Sequence, residues 1–298
     1  MLAENASGAE RGKSRRLSWR FAVVAQTLRY RLASRRTLNR VRLPMCLIVF
    51  AWRPGNALPL IVAANRDEFH ERPSLPLDYW SDAPQIAAGR DLQAGGTWMG
   101  VTTDGRFAAL TNIRAPGSPV GERSRGELPE RFLRGSQSPR NYLEALSGSL
   151  GQYSGFNLLV GDLDELWYLN SREETPRRLS TGVYGLSNAA LDTPWPKLLR
   201  ARAALESCMG TPERDLLFGI MSDSQAAPDD ELPATGIAYE SEKLLSSAFI
   251  SSANYGTRAS TLLMRRADGS ATVTERRFGP DGALGETEME LPSPTKDS

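Results

Sequence analysis

Cys46 stands near the start of an apolar run, Met45 to Trp52 (MCLIVFAW), and a polar cluster, Asn65-Arg66-Asp67-Glu68, closes the next one, Leu58 to Ala64. A thiol near a guanidinium, carboxylates and an amide is the set of groups that covalent acyl transfer uses: a nucleophile, charge stabilisers and a proton handler. The thiol needs a proton acceptor. His70 is the only histidine of the chain and lies in a Phe69-His70-Glu71-Arg72-Pro73 segment that reads rather as an exposed loop. A second route needs no histidine. Removal of Met45 would make Cys46 the first residue, and its α-amine, with a reference pKa of about 8, could take the thiol proton. Against both stands a structural reading, in which Cys46 is a small buried residue opening a core strand, Arg66 and Asp67 form a structural ion pair, and the asparagines cap turns. Two cysteines and one histidine are too few for a zinc site or a disulfide scaffold. Cys208, in the helical run Trp195 to Cys208, reads as core.

These groups must be positioned by strands. Both apolar runs have strand length and are rich in β-branched and aromatic residues, and the turn residues Arg53-Pro54-Gly55-Asn56 lie between them. They predict a β-hairpin, whose antiparallel pairing sets Cys46 beside the polar cluster. Leu47 to Trp52 is apolar on both alternations, so this strand must be covered on both faces. A second hairpin is predicted from Thr97–Thr102 and Phe107–Thr111 around Asp104-Gly105, ending in Asn112, with Gly95-Gly96 as a turn before it. Helices follow over Glu127–Arg134 and over Pro139–Leu150, the latter with Ser138 as N-cap. Strands resume at Phe156–Val160, Leu166–Leu169 and Val183–Ser187, which leads into Asn188. Thr193-Pro194 is expected to cap a helix through Cys208, and Glu213–Ser222 forms another. Ser224–Thr235 reads as a surface loop. Ala248–Ser252 and Ser260–Met264 are predicted strands around Asn254 to Arg258, and Ala271–Phe278 is a last strand whose Thr272–Arg276 stretch alternates like a sheet edge.

The 298 residues are 40% hydrophobic, enough to bury a full core in one domain, assigned to residues 45–298. The net charge of +1 conceals an asymmetry: residues 1–44 hold ten Arg and one Lys against Glu4 and Glu10, a charge of +9, and the remainder carries −8. An acidic body argues against a nucleic-acid footprint. No apolar stretch approaches the ~20 residues of a membrane span, and the few cysteines suit a reducing, cytoplasmic setting. The basic N-terminal segment is read as an organelle-targeting peptide, a propeptide whose removal exposes Cys46, or translated sequence upstream of a start at Met45. The last is favoured, because Met45 directly precedes the cysteine.

The Met-Cys start and Asn65-Arg66-Asp67-Glu68 resemble the NRDE family, which includes the transport and Golgi organisation proteins. Further pieces that carry the resemblance, in the family's order, are Gly95–Gly100, Ala109–Asn112, Arg125–Leu128, Gly155–Leu158, Tyr184–Asn188, Thr193–Trp195 and Tyr255–Arg258. The resemblance implies the α+β, four-layer αββα sandwich of two stacked antiparallel sheets found in N-terminal nucleophile hydrolases. Cysteine members of that superfamily, penicillin V acylases and bile salt hydrolases, also begin Met-Cys and carry an Arg and an Asp at the end of the second strand. Carried over, Asp67 would hold the α-amine of Cys46, Arg66 would stabilise the thiolate, Asn188 and Asn112 would donate to an oxyanion, and Arg258 would steady the nucleophile. The expected activity is hydrolysis of a non-peptide amide through a Cys46 thioester, which requires no cofactor. A second expectation is a non-catalytic carrier of an apolar ligand, haem or lipid, with Cys46 or His70 as haem-ligand candidates. A third is a trafficking partner in secretory organisation.

Overall fold

The structure, a computed structural model, describes residues 45–294, so the basic N-terminal segment lies outside the described residues. Along the chain come β1 (Met45–Trp52), β2 (Leu60–Phe69), β3 (Ser74–Trp80), β4 (Ala83–Asp91), β5 (Met99–Thr102) and β6 (Phe107–Asn112). Helices α1 (Glu127–Arg134) and α2 (Pro139–Leu146) precede β7 (Phe156–Gly161), β8 (Leu166–Asn170), the two-residue β9 (Arg177–Arg178) and β10 (Gly182–Leu186). Helices α3 (Pro196–Cys208), α4 (Arg214–Met221) and α5 (Tyr239–Leu244) lead to β11 (Tyr255–Arg265), β12 (Ala271–Gly279) and β13 (Gly282–Leu291).

The strands form two antiparallel sheets, one ordered β10-β1-β2-β11-β12-β13 and the other β3-β4-β5-β6-β7-β8-β9. Alternation along β1 explains how they stack. Ile48, Phe50 and Trp52 join Val62, Ala64 and Val273 against Ala87, Val101, Phe107 and Leu159 of the other sheet, forming the core between the sheets. Leu47, Val49 and Ala51, on the opposite face, pack with Ile61 and Ala63 against Leu198 and Leu205 of α3 and Phe218 of α4. On the outside of the second sheet, α1 and α2 bury Leu128, Phe132 and Leu143 against Ala108, Leu158 and Val160. Helix, sheet, sheet, helix is therefore the layering, and β1 is covered on both faces because each face meets a different layer.

Several boundaries differ from the sequence-based expectation. Ala248–Ser252 is not a strand: only Ser251 bridges to Gly256, and β11 begins at Tyr255, absorbing the segment expected to connect two strands. Thr272–Arg276 is not an edge, since β13 pairs along the whole of β12. The outward hydroxyls of Thr272 and Thr274 bond Glu290 and Glu288 across that pair, so a polar alternation that suits an edge also suits an interior strand with a charged neighbour. The true edge, β13, carries Gly282, Gly285 and three glutamates and has no apolar period to announce it. Strands β3 and β4 also lack a clean period, with Pro76 and Pro84 in them. Ser138 caps α2 by accepting from Asn141 N at 3.3 Å, but α2 ends at Leu146 and passes into a 3-10 turn. Thr193 does not cap α3. Its hydroxyl donates to Ala190 O, and Trp195 precedes Pro196 at the first helical position. Gly95 and Gly96 both hold φ of +72°, and a Cβ on Gly96 would lie 2.2 Å from Gly126 O, so the turn doubles as a close backbone approach to the start of α1.

Candidate functional site

Cross-strand register places the site. Met45 pairs with Asp67 and Cys46 with Arg66, and directly opposed residues point to the same face of a sheet. The Asn-Arg-Asp-Glu cluster is one run of strand and is therefore split. Arg66 and Glu68 share the face between the sheets with Cys46, whereas Asn65 and Asp67 share the helix-covered face with Met45.

Each residue of the cluster has its own partners. Asn65 is a bolt: its amide donates to Met221 O and Ala248 O, both at 2.8 Å, and its oxygen accepts from Ser260. Arg66 is 7% exposed and lies over Trp98, 4.4 Å from the ring centroid. Its guanidinium has no hydrogen-bond acceptor among the described residues. Asp67 is held at Oδ1 by the Thr257 hydroxyl at 2.7 Å, while its buried Oδ2 has no hydrogen-bond partner among them. Glu68 accepts from Phe69 N and faces Arg72 at 3.5 Å.

The Cys46 backbone is fixed at both ends. Its N–H donates to Asn188 Oδ1 at 3.3 Å, and its carbonyl accepts from the Ser187 hydroxyl at 2.9 Å. Met45, fully buried, donates its N–H to the Tyr255 hydroxyl at 2.9 Å, and its sulfur receives Arg114 Nη2 at 3.3 Å. The thiol of Cys46 is pushed up to about 12, first by burial and then by the Asp67 carboxylate; Arg66 and the Asp67 backbone N–H act in the opposite sense. A thiol in that state is protonated at neutral pH and is no nucleophile without a base.

Of the six residues carried over from the resemblance, Cys46, Arg66, Asp67 and Asn188 meet at the start of β1. Asn112 reaches the group through its backbone, its carbonyl accepting from Asn188 Nδ2 at 2.8 Å. Arg258 sits at the bulge of β11, and its Nη1 donates to the carbonyls of Phe69, His70 and Arg72. It secures the turn after β2. His70 Nε2 rests 3.1 Å from Ser252 O.

The tertiary structure adds groups that sequence reasoning missed. Lys197, second residue of α3, is 2% exposed, and its ammonium has no hydrogen-bond partner among the described residues. Burial lowers it to about 8, opposed by Asp67. A lysine in the first turn of a helix, against the dipole, is the one hint the sequence held. Arg125 lies in the field of Cys46, and burial lowers it to about 10. Arg114 pairs with Glu242 at 2.5 Å and stacks on Trp195, forming the wall behind Met45. No group of three or more His, Cys, Asp or Glu among the described residues is arranged to hold a metal ion.

Asp67 is raised to about 6 from 3.8, burial being the main cause. A carboxyl raised in the folded state favours folding at low pH, and that contribution is lost as pH climbs through its folded value. The stability difference between Asp67→Asn and the unsubstituted protein should therefore move in the variant's favour by about 2 kcal/mol between pH 4 and pH 6. Urea unfolding at stepped pH measures it, and a flat difference would mean that Asp67 titrates normally.

Fold and site together define an αββα-layered α+β protein with a buried cysteine at the start of a central strand. A profile of the family Transport and Golgi organisation 2 matches residues 45–280, and the chain belongs to that family. It is 38% identical to the Transport and Golgi organization protein 2 homolog of Bos taurus over 82% of this chain and 97% of that one. With the Homo sapiens homolog it shares 37% identity over 78% and 92%, and with the Drosophila melanogaster protein 26% over 63% and 76%. Among solved structures it is similar to an N-acylethanolamine-hydrolyzing acid amidase ortholog of Caenorhabditis elegans (TM-score 0.42, 13% identity, covering 59% of this chain and 86% of that one). It is also similar to a mutant of a conjugated bile acid hydrolase from Clostridium perfringens (TM-score 0.46, 9% identity, 82% and 92%). No helix among the described residues is long and apolar enough to cross a membrane.

Proposed function

We propose that this protein is an N-terminal cysteine amidohydrolase acting on a non-peptide amide, active when Cys46 is the first residue. The observation that carries this reading is the setting of the Cys46 nitrogen. It faces Asn188 Oδ1, and the buried carboxylate of its neighbouring strand keeps one oxygen unpartnered among the described residues. An α-ammonium at that position would supply the missing donor to Asp67 and, as a free amine, the missing base for Cys46.

In the proposed reaction Cys46 Sγ attacks the amide carbonyl while its proton passes to the α-amine. The tetrahedral oxyanion collapses, the carbon–nitrogen bond breaks, and the leaving amine takes the proton from the α-ammonium. Water activated by the same amine then hydrolyses the thioester and releases the acid. Arg66, on the thiol's own face, favours the thiolate, and Asn188 Nδ2, with one hydrogen on Asn112 O, keeps a second for the oxyanion.

The test is covalent labelling with an electrophilic lactone or amide probe, read by intact mass and peptide mapping. Label is expected on Cys46 and not on Cys208, and Cys46→Ala should take none while unfolding at an unchanged temperature. Equal labelling of the variant would sink the proposal. Absence of labelling together with a Soret shift on haem titration would give the carrier reading instead.

A further inference from the structure

Four residues stand in one row across four neighbouring strands. Cys46 pairs with Arg66, Arg66 with Ala259, and Ala259 with Arg277. All four face the space between the sheets, the face on which Val273 and Glu275 of β12 also lie, with Glu275 accepting from Leu77 N of the opposite sheet. Neighbouring strands run 4.7–4.9 Å apart, so the row extends about 14 Å from Cys46.

A small open pocket, with a cavity volume of about 80 Å³, lies over the far part of this row, lined by Arg66, Arg258, Arg277 and Glu275 and by the apolar surfaces of Trp98 and Phe278. Ala259 is its floor, since a small side chain at the centre of the row leaves the space that larger residues fill elsewhere in the core. Three guanidiniums face one carboxylate there. Arg258 is committed to backbone carbonyls, but Arg66 has no acceptor among the described residues and Arg277 Nε is buried without one. Gly285, opposite Arg277, leaves room for its guanidinium: a Cβ there would lie 2.9 Å from Nη2. A buried guanidinium donor without an acceptor, as at Arg277 Nε, is costly, and a carboxylate accepts from two guanidinium donors at once.

We infer that this pocket binds the carboxylate of an amide substrate that also carries an apolar chain, with Arg277 as the residue that selects for the charge. The pocket thus names the substrate class of the proposed hydrolase and rests on that reading for its connection to Cys46. Trp98 and Phe278 take the apolar part, and the row sets the reach between the anionic group and the thiol.

Binding is measured on the full chain carrying Cys46→Ala, which cannot turn over, by calorimetric titration with the mono-octylamide of decanedioic acid, whose carboxylate and amide are separated by a methylene chain long enough to follow the row, and with its methyl ester. The acid should bind at least about tenfold more tightly than the ester. Arg277→Met should erase that preference, Arg277→Lys should keep part of it, and Ala259→Leu should weaken both ligands by filling the floor. Unfolding temperatures of all variants confirm that the fold is retained. Equal binding of acid and ester, or a preference that survives Arg277→Met, overturns the inference. Binding of the acid with the expected preference, without its cleavage by the chain beginning at Cys46, would leave the pocket standing and remove the hydrolase reading. Cleavage without the preference would do the reverse.

Discussion

The full chain is expected to cleave an amide substrate at least about a thousandfold more slowly than the same chain beginning at Cys46. In the full chain the Cys46 nitrogen is a peptide nitrogen, without basicity, and the thiol beside it is held at about 12. Conversion to an α-amine supplies a proton acceptor of reference pKa about 8, places a positive charge next to the thiol when protonated, and gives Asp67 Oδ2 a donor. Each change favours the thiolate, and their combination is the magnitude expected of a missing general base. Removal of Met45 also empties a fully buried envelope bounded by Leu245, Ile250 and Tyr255, which opens the start of β1 to a ligand. The measurement is a steady-state rate for both forms on one fluorogenic amide, with intact mass fixing the first residue of each. Equal rates would show that the α-amine is not the base.

Glu242→Ala is expected to cost about 3–5 kcal/mol of stability, the range for removing one partner of a buried ion pair. Arg114 and Glu242 have side chains 2% and 6% exposed, so the variant leaves a guanidinium in the interior without its counter-charge. Glu242 also accepts from Thr235 N at 2.9 Å, so the segment before α5 loses its anchor in the same step. For a domain of this size the loss corresponds to a fall in unfolding temperature of about 6–20 °C. Arg114→Met with Glu242→Leu together should recover most of it, because an apolar pair of similar volume removes the desolvation cost along with the attraction. Thermal unfolding of the single and double variants decides this; a single variant within a degree of the parent would show that the pair contributes nothing. Since Arg114 stacks on Trp195 behind the start of β1, Glu242→Ala should reduce Cys46 labelling of the chain beginning at Cys46 as well.

The parts of the fold that could be read in advance were those with local signatures. The β1–β2 and β5–β6 hairpins follow from apolar runs broken by turn residues, and the two-faced character of β1 follows from its lack of alternation. The pairing of Cys46 with the region of Arg66 was legible for the same reason, since two apolar runs joined by a single turn-rich loop pair antiparallel with their far ends side by side. Ser138 before Pro139 marked the start of α2. Where the signature was absent or shared, reading failed. β13 has no apolar period, the threonines of β12 serve an interior strand as well as an edge, and Thr193 found a closer acceptor in its own loop than the helix it was expected to cap.

By itself the sequence determined the two hairpins, the helices with clear apolar faces, the family and the presence of a cysteine beside a charged cluster, because period, turn chemistry and motif order are properties of neighbours along the chain. Only the tertiary structure decided which of those charges the cysteine meets. The two faces of β2 belong to different layers, so Arg66 is turned toward Cys46 and Asp67 toward Lys197 and Met45. Only the order β1-β2-β11-β12 aligns Cys46, Arg66, Ala259 and Arg277 across more than two hundred residues of sequence. Register between strands so distant in the chain is set by packing of the whole sheet against its two layers, and no local spacing encodes it.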